Sequence, residues 1–143
     1  MNIRKATEGD VKAIQRVAYA LKVSGVEWCD WHFLRVIRGT VREGRYYLAE
    51  LDGKVIGIIS LIRGRHRVEI GTLAVKRSFQ GKGIGNKLVQ FARSFARRCG
   101  AKLITVSSLI AYHAKQFYLR LGFRIRSFGL YHGRKWYEFA AAL

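Results

Sequence analysis

Hydrophobic residues recur at helical spacing near the start of the chain. Residues 2–5 are predicted to form a short strand. Thr7 and Asp10 then have the spacing of a capping box, in which an acid three residues after the N-cap accepts a bond from the backbone amide of the cap. The stripe that follows repeats every three or four positions, as the buried face of a helix does. Its members are Val11, Ile14, Val17, Ala18 and Leu21.

A second helix is predicted near residues 29–42. The positions expected to point inward are Phe33, Leu34, Ile37 and Val41. Three cations, Arg35, Arg38 and Arg42, are expected to share another face, because residues three and four apart are neighbours on a helix surface.

Three strands are predicted next, and each is rich in β-branched or aromatic residues. The segments Tyr46–Leu51 and Lys54–Ile62 flank Asp52-Gly53, a strong two-residue hairpin signal. A basic turn at residues 63–67 leads into the third strand, Val68–Val75. We expect these three strands to be antiparallel.

The second half of the chain alternates helical and extended patterns. A helix from Ile84 is closed by Gly100, with cations in its last turn. The remaining predicted elements are a strand at Lys102–Val106, a helix at Ala111–Leu121 closed by Gly122, and a hairpin of Phe123–Phe128 with Lys135–Ala141. The resulting order is β-α-α-β-β-β-α-β-α-β-β. Because the chain has no proline, repeat or linker, residues 1–143 are predicted to form a single domain.

The composition of the chain is strongly basic. The chain has 27 Lys and Arg against 9 Asp and Glu, a net charge of +18. Most cations therefore lack an acidic partner, which favours an anionic binding partner such as RNA, DNA, a ribosome or an acidic protein surface. Cys29 and Cys99 are expected to be idle thiols in a reducing compartment, which favours a cytoplasmic location. The four scattered histidines have no metal-ligand spacing, so no metal is expected.

The most informative segment is a glycine-rich loop between a predicted strand and a predicted helix. Its residues are Gln80, Gly81, Lys82, Gly83, Ile84, Gly85 and Asn86. Backbone amides exposed at a helix N-terminus bind phosphate. A Walker A loop is excluded because Lys82 is followed by Gly83 rather than Ser or Thr. A dinucleotide fingerprint is weak because Asn86 stands where a third glycine is required. A plain glycine turn between strand and helix remains the alternative.

The pattern Gln-x-x-Gly-x-Gly of Gln80, Gly83 and Gly85 resembles the pyrophosphate loop of the GCN5-related N-acetyltransferases. The element order is also similar to theirs, and so are three further segments: residues 3–10, residues 68–75, and the late segment 114–123. The resemblance implies an α/β (α+β) fold with a central mixed, mostly antiparallel sheet flanked by helices, and acetyl-CoA as co-substrate. It also implies a possible homodimer through the C-terminal strands.

The same resemblance implies the cofactor contacts. The loop amides from Gln80 to Asn86 would hold the pyrophosphate, with Lys82 and Arg77 as helpers. The strand end would pair with the pantetheine arm through the backbone of Leu73, Ala74 and Val75.

Two residues are candidates for the acid–base chemistry of acetyl transfer. Tyr118 resembles the tyrosine that lies near the sulfur of the cofactor in many family members, and a phenol of pKa about 10 can protonate a leaving thiolate. Its alternative role is that of a core aromatic beside Phe117. Glu69 matches the base glutamate of the histone-type lysine acetyltransferases, and a buried acid is costly without a reason. Its alternative role is an ion pair with Arg67.

The sequence departs from the family at two positions. Ala111 stands where many members have Asn, and Val106 stands where the ribosomal-protein N-terminal acetyltransferases have Glu. Ser107, Ser108 and His113 are polar groups in the same region, and His113 is expected to be an exposed helix residue.

We expect transfer of an acetyl group to a primary amine, on a protein or an anionic carrier, because a cationic small substrate would be repelled by this basic protein.

The alternative function is a basic nucleic-acid- or ribosome-binding module with weak or lost catalysis. Four basic sets would then contact phosphates. They are Arg35/Arg38/Arg42, the turn at residues 63–67, Arg93/Arg97/Arg98, and Arg124/Arg126/Arg134/Lys135.

Overall fold

The computed structural model describes residues 1–22 and 33–143. Backbone contacts divide the chain into two compact units, residues 1–61 with 72–90, and residues 62–71 with 91–143. The strands are β1 Asn2–Lys5, β2 Tyr46–Leu51, β3 Lys54–Arg63, β4 Arg67–Val75, β5 Leu103–Leu109, β6 Arg124–Tyr131 and β7 Arg134–Ala142. The helices are α1 Val11–Ala18, α2 Leu34–Arg42, α3 Ile84–Arg98 and α4 Lys115–Arg120. This order of helices and strands is the predicted one.

The strands hydrogen-bond in the order β1-β2-β3-β4-β5-β7-β6. The ladders β1–β2, β2–β3, β5–β7 and β6–β7 are antiparallel, whereas β4 and β5 are parallel. The predicted mixed, mostly antiparallel sheet is therefore confirmed. Two-residue turns join β2 to β3 and β6 to β7, whereas α1 and α2 lie between β1 and β2, and the parallel pair requires the α3 crossover.

In the first unit, one ionic network joins β1 and β2 to the start of α1. The Arg4 guanidinium donates to both carboxylate oxygens of Asp10, at 2.8 and 2.9 Å, and to Glu50 at 2.8 Å. Asp10 also accepts the backbone amide of Thr7, as the predicted capping box requires. Hydrogen bonds from Arg4 lower the pKa of the Asp10 carboxyl from 3.8 to about 2.

The second helix is shorter than predicted within the described residues, because α2 begins at Leu34 and residues 29–32 lie outside them. The prediction that Phe33 points inward is wrong, since its side chain is 38% exposed. It occupies the extended N-cap position, so the helical periodicity does not apply to it. Ile37 and Val41 are buried as predicted. Cys29 also lies outside the described residues, and Cys99 is a free thiol.

The predicted hairpin between β2 and β3 is confirmed. Asp52 and Gly53 both have positive φ, at 50° and 77°, as a type I′ turn requires. In the last hairpin, His132 and Gly133 also have positive φ. The strands of that hairpin are longer than predicted.

In the second unit, the single helix predicted at residues 111–121 is two shorter pieces. A 3₁₀ turn at Ile110–Tyr112 ends at His113, whose φ of 55° is left-handed, and α4 begins at Lys115. A left-handed residue cannot continue a right-handed helix, and no glycine or proline in the sequence marks this break.

Close packing of α3 on the sheet depends on a glycine in β3. A Cβ atom on Gly57 would lie 3.0 Å from the Leu88 Cδ1 methyl and 3.2 Å from the Ile84 Cγ2 methyl. Both neighbours are buried in the first turns of α3. The missing side chain of Gly57 therefore sets how closely the start of α3 approaches β3.

We predict that Gly57→Ala lowers the free energy of unfolding by about 1–3 kcal/mol, because the added methyl overpacks the contact with α3. Gly39→Ala is the matched control, since a Cβ there meets nothing within 4 Å in the middle of α2. The control should raise stability by about 0.5–1 kcal/mol. Urea denaturation measures both, and equal effects of the two substitutions would contradict the packing argument.

Candidate functional site

The glycine loop has the backbone geometry of an anion site. After β4 ends at Val75, a 3₁₀ turn at Arg77–Phe79 leads to the loop. Gly81 and Gly83 have φ of 76° and 83°, and a Cβ on either would meet nothing within 4 Å. Glycine is thus required here for its backbone conformation and leaves open space above the loop.

The loop also presents unsatisfied donors. The first hydrogen bond of α3 runs from the Lys87 amide to the Gly83 carbonyl, at 3.1 Å. In the part of the chain that the structure describes, the amides of residues 81–86 donate to no main-chain carbonyl. Lys82 is exposed and its Nζ lies 5.3 Å from the centroid of the Phe79 ring, beside these amides. Together these groups suit a phosphate ligand.

The end of β4 is arranged to leave backbone groups available. The parallel ladder of β4 ends at Ile70, before Leu73, Ala74 and Val75. The Gln80 side-chain amide donates to the Val75 carbonyl at 3.0 Å, so that acceptor is already used. The Gln80 side chain therefore fixes the loop to the strand end, a contact that the sequence pattern did not reveal.

Tyr118 lies in an aromatic cluster of the second unit and is only 5% exposed. Its ring centroid is 5.0 Å from those of Phe117 and Phe139 and 5.6 Å from that of Phe123. Burial raises the pKa of the Tyr118 phenol above its ordinary value. The phenol is protonated at neutral pH, as an ordinary tyrosine is, and its burial also fits the packing role beside Phe117.

Arg93 of α3 holds the C-terminal end of α4 in place. Its guanidinium donates to the Leu121 carbonyl and lies 5.0 Å from the centroid of the Phe123 ring. Burial, with a smaller effect of Arg97, lowers the pKa of Arg93. The sequence suggested Arg93 only as a phosphate contact. Its spacing from the buried residues Val89 and Ala96 on the same helix could have revealed the inward position.

Glu69 is half-buried on β4 and, among the described residues, its carboxylate makes no ion pair. The cation that the sequence offered as a partner, Arg67, lies 4.0 Å from Glu138 instead. Arg126 also pairs with Glu138, at 3.5 Å. Beside Glu69 in the ladder, Thr105 is fully buried, and its hydroxyl has no hydrogen-bond partner in the described chain.

Tyr118 and Glu69 lie on opposite faces of the sheet. The Phe139 ring that contacts Tyr118 shares a face with Val106 and Ile70, according to the register of β7, β5 and β4. Side chains alternate along a strand, so Glu69 projects from the other face. The structure therefore does not bring these two candidate side chains together on one surface.

A cavity of about 300 Å³ adjoins the aromatic cluster in the second unit. Its polar lining includes Ser108, His113, Lys115 and Tyr137, and Phe139 forms part of its wall. His113 is exposed, as expected, but the expectation that it lies in a helix is wrong, because it is the left-handed residue before α4, where it lines this cavity.

Residues 1–22 and 33–143 contain neither a membrane-spanning helix nor a metal-ligand cluster. Within them, no helix combines the length and apolar character needed to cross a membrane. The same residues contain no cluster of three or more His, Cys, Asp or Glu side chains suited to a metal ion.

Comparison with known proteins places this geometry in context. Residues 42–125, more than half of the chain, match the family described as "Acetyltransferase (GNAT) domain". The uncharacterized N-acetyltransferase MJ1207 of Methanocaldococcus jannaschii is 30% identical over 105 residues, which are 68% of this chain and 46% of that protein. The chain spans about half the length of the curated relatives it matches.

Solved structures share the fold across nearly the whole chain. Ard1 from Thermoplasma volcanium superposes with a TM-score of 0.82 at 19% identity, covering 99% of this chain and 97% of that one. The paia N-acetyltransferase from Thermoplasma acidophilum, in complex with coenzyme A, gives 0.78 at 19% identity, covering 99% and 98%. The predicted fold is thereby confirmed.

Proposed function

This chain belongs to the acetyltransferase (GNAT) family, and on that premise we propose that it transfers the acetyl group of acetyl-CoA to a primary amine. The observation that carries the proposal is the loop before α3. It combines two left-handed glycines, open space above them and unsatisfied amides at a helix start. A pyrophosphate meets these amides and the positive end of the helix dipole together.

The strand end beside the loop supports the same proposal. Beyond Ile70, β4 is free of the parallel ladder, so the backbone of Leu73 and Ala74 can bond an extended pantetheine arm as an added strand would. Because the Val75 carbonyl accepts the Gln80 side chain, we assign Val75 only its amide in this interaction. Lys82 and Arg77, both exposed, would neutralise phosphate charge.

The chemistry that we propose needs a proton donor at the thioester sulfur and a route for the amine proton to a base. A neutral amine attacks the thioester carbonyl, a C–N bond forms, and the C–S bond breaks. Glu69 projects from the face opposite Tyr118, so we propose that it takes the amine proton only through water, which the orphaned Thr105 hydroxyl beside it helps to hold. Tyr118 on the other face gives its proton to the leaving thiolate, whose own proton affinity rises in these apolar surroundings.

We predict that Tyr118→Phe lowers turnover at least about tenfold and leaves acetyl-CoA affinity unchanged, because only the proton donor is lost. The readout is thiol release from acetyl-CoA in the presence of synthetic peptides with free α- and ε-amines. Tyr47→Phe on β2 removes a phenol hydroxyl from the first unit and serves as the control. Turnover near that of the wild type in Tyr118→Phe would return Tyr118 to a purely packing role.

Glu69→Gln should lower the rate at neutral pH and move the rise of the pH–rate profile toward the pKa of the amine, about 10.4 for lysine. Without a base, only acceptor that is already deprotonated can react. Asp52→Asn in the β2–β3 turn removes the same charge at an exposed site and should leave the profile unchanged. An unaltered profile in Glu69→Gln would exclude Glu69 as the base.

We propose that the amine is carried by a protein or another anionic molecule. With 27 basic and 9 acidic residues, the protein repels a free polycation such as a polyamine. An anionic carrier instead raises the local concentration of its own amine near the protein.

The same charge favours a second candidate function, binding of RNA, DNA or a ribosome. The structure reduces the cations available for it, since every proposed basic set has a member engaged internally. Arg38 and Arg42 pair with Glu8, Arg67 and Arg126 pair with Glu138, and Arg93 binds the Leu121 carbonyl. Nine acids still leave the large cationic excess unneutralised, so both functions can coexist on one chain.

A further inference from the structure

The cavity beside the aromatic cluster lies within the second unit and has no role in the proposed function. Its volume is about 300 Å³, and it is formed by the end of β5, the start of α4 and β7. That volume is at the lower end of the range for pockets that hold small molecules. The chemistry of its walls therefore indicates what it can bind.

The polar groups on these walls favour an anion. Lys115 and His113 line the cavity together with Ser108, Gln116 and Tyr137, and no acidic residue does. The Lys115 ammonium lies 5.8 Å from the centroid of the Tyr137 ring, so it is held over an aromatic face at the wall. An ammonium, an imidazole, hydroxyls and a side-chain amide together supply several donors to a carboxylate or phosphate.

The remaining walls are apolar. Leu109, Ile110, Ala114 and Phe139 complete the lining, and the Phe139 ring is 5.9 Å from that of Tyr137. A small organic body would be desolvated against these side chains while its charged end meets the donors. The cavity thus suits an amphipathic anion better than a free inorganic ion.

The cavity also adjoins the proposed general acid. Phe139 forms part of the cavity wall and contacts the Tyr118 ring at 5.0 Å. We propose that the cavity binds the anionic end of the acceptor, a carboxylate or phosphate on a small apolar body that also bears the amine. The assignment of this ligand as the acceptor depends on the proposed function, whereas the assignment of an anion site depends only on the cavity.

The test is calorimetric titration of para-aminomethylbenzoate and its neutral analogue para-aminomethylbenzamide into the protein saturated with coenzyme A. The benzoate should bind at least about tenfold more tightly, since a charge-assisted bond replaces a neutral one. Lys115→Gln should remove this preference, and His113→Asn, which tolerates the left-handed backbone, should reduce it. Lys12→Gln on α1 removes one positive charge at an exposed site and should leave the preference intact.

Three results would overturn the proposal. Equal affinity for the two probes would make the cavity an apolar pocket, and an unchanged preference in Lys115→Gln would place the anion elsewhere. If para-aminomethylbenzoate binds the free protein but not the protein saturated with coenzyme A, the cavity belongs to the cofactor. Phenyl phosphate compared with benzoate, under the same conditions, then tells which anion the site prefers.

Thiol release from acetyl-CoA in the same samples separates this proposal from the proposed function. Anion binding in the cavity without acetylation of para-aminomethylbenzoate would overturn its assignment as an acceptor site and leave an anion site. Acetylation of both probes at equal rates and affinities would support the enzyme and refute the cavity proposal.

Discussion

The backbone amides at the start of α3 are the constraint on which the proposed cofactor site depends. In the described chain these amides have no main-chain acceptor, and a helix start without partners needs water or an anion. Two left-handed glycines keep the space above them open, and Gln80 fixes the loop to β4. Gly57 then lets the first turns of α3 pack directly on β3. These glycines therefore act through local backbone geometry and close approach rather than through side-chain chemistry.

The few acidic residues of this protein mostly form ion pairs that support the fold. Acidic residues are scarce, and most of the described ones are used as anchors, as Glu138 is for Arg67 and Arg126. Among the described residues, Asp52 and Glu69 make no ion pair; Asp52 is exposed in the β2–β3 turn, whereas Glu69 is half-buried. In a protein of net charge +18, a half-buried acid without a cationic partner is a candidate for proton transfer.

The sequence predicted features that depend on local chemistry and missed those that depend on distant partners. Asp52-Gly53 specified a hairpin because a type I′ turn needs two positive φ angles, and the glycine loop was equally local. Periodicity failed at Phe33, which precedes the helix, and at His113, where a residue without a breaker signal is left-handed. No local pattern could show that Arg67 would reach Glu138, because their strands are separated by β5.

The most direct test of the central claim is calorimetric titration of acetyl-CoA into the wild type, Gly83→Glu and Gly53→Glu, at moderate and high salt, with ATP as a polyanion control. Both glycines have positive φ and open space, so the two variants impose the same strain and charge. We expect binding that persists in high salt, exceeds that of ATP and is lost only in Gly83→Glu. Binding that ATP reproduces and salt abolishes, or equal loss in both variants, would contradict the assignment of the loop as a coenzyme A site.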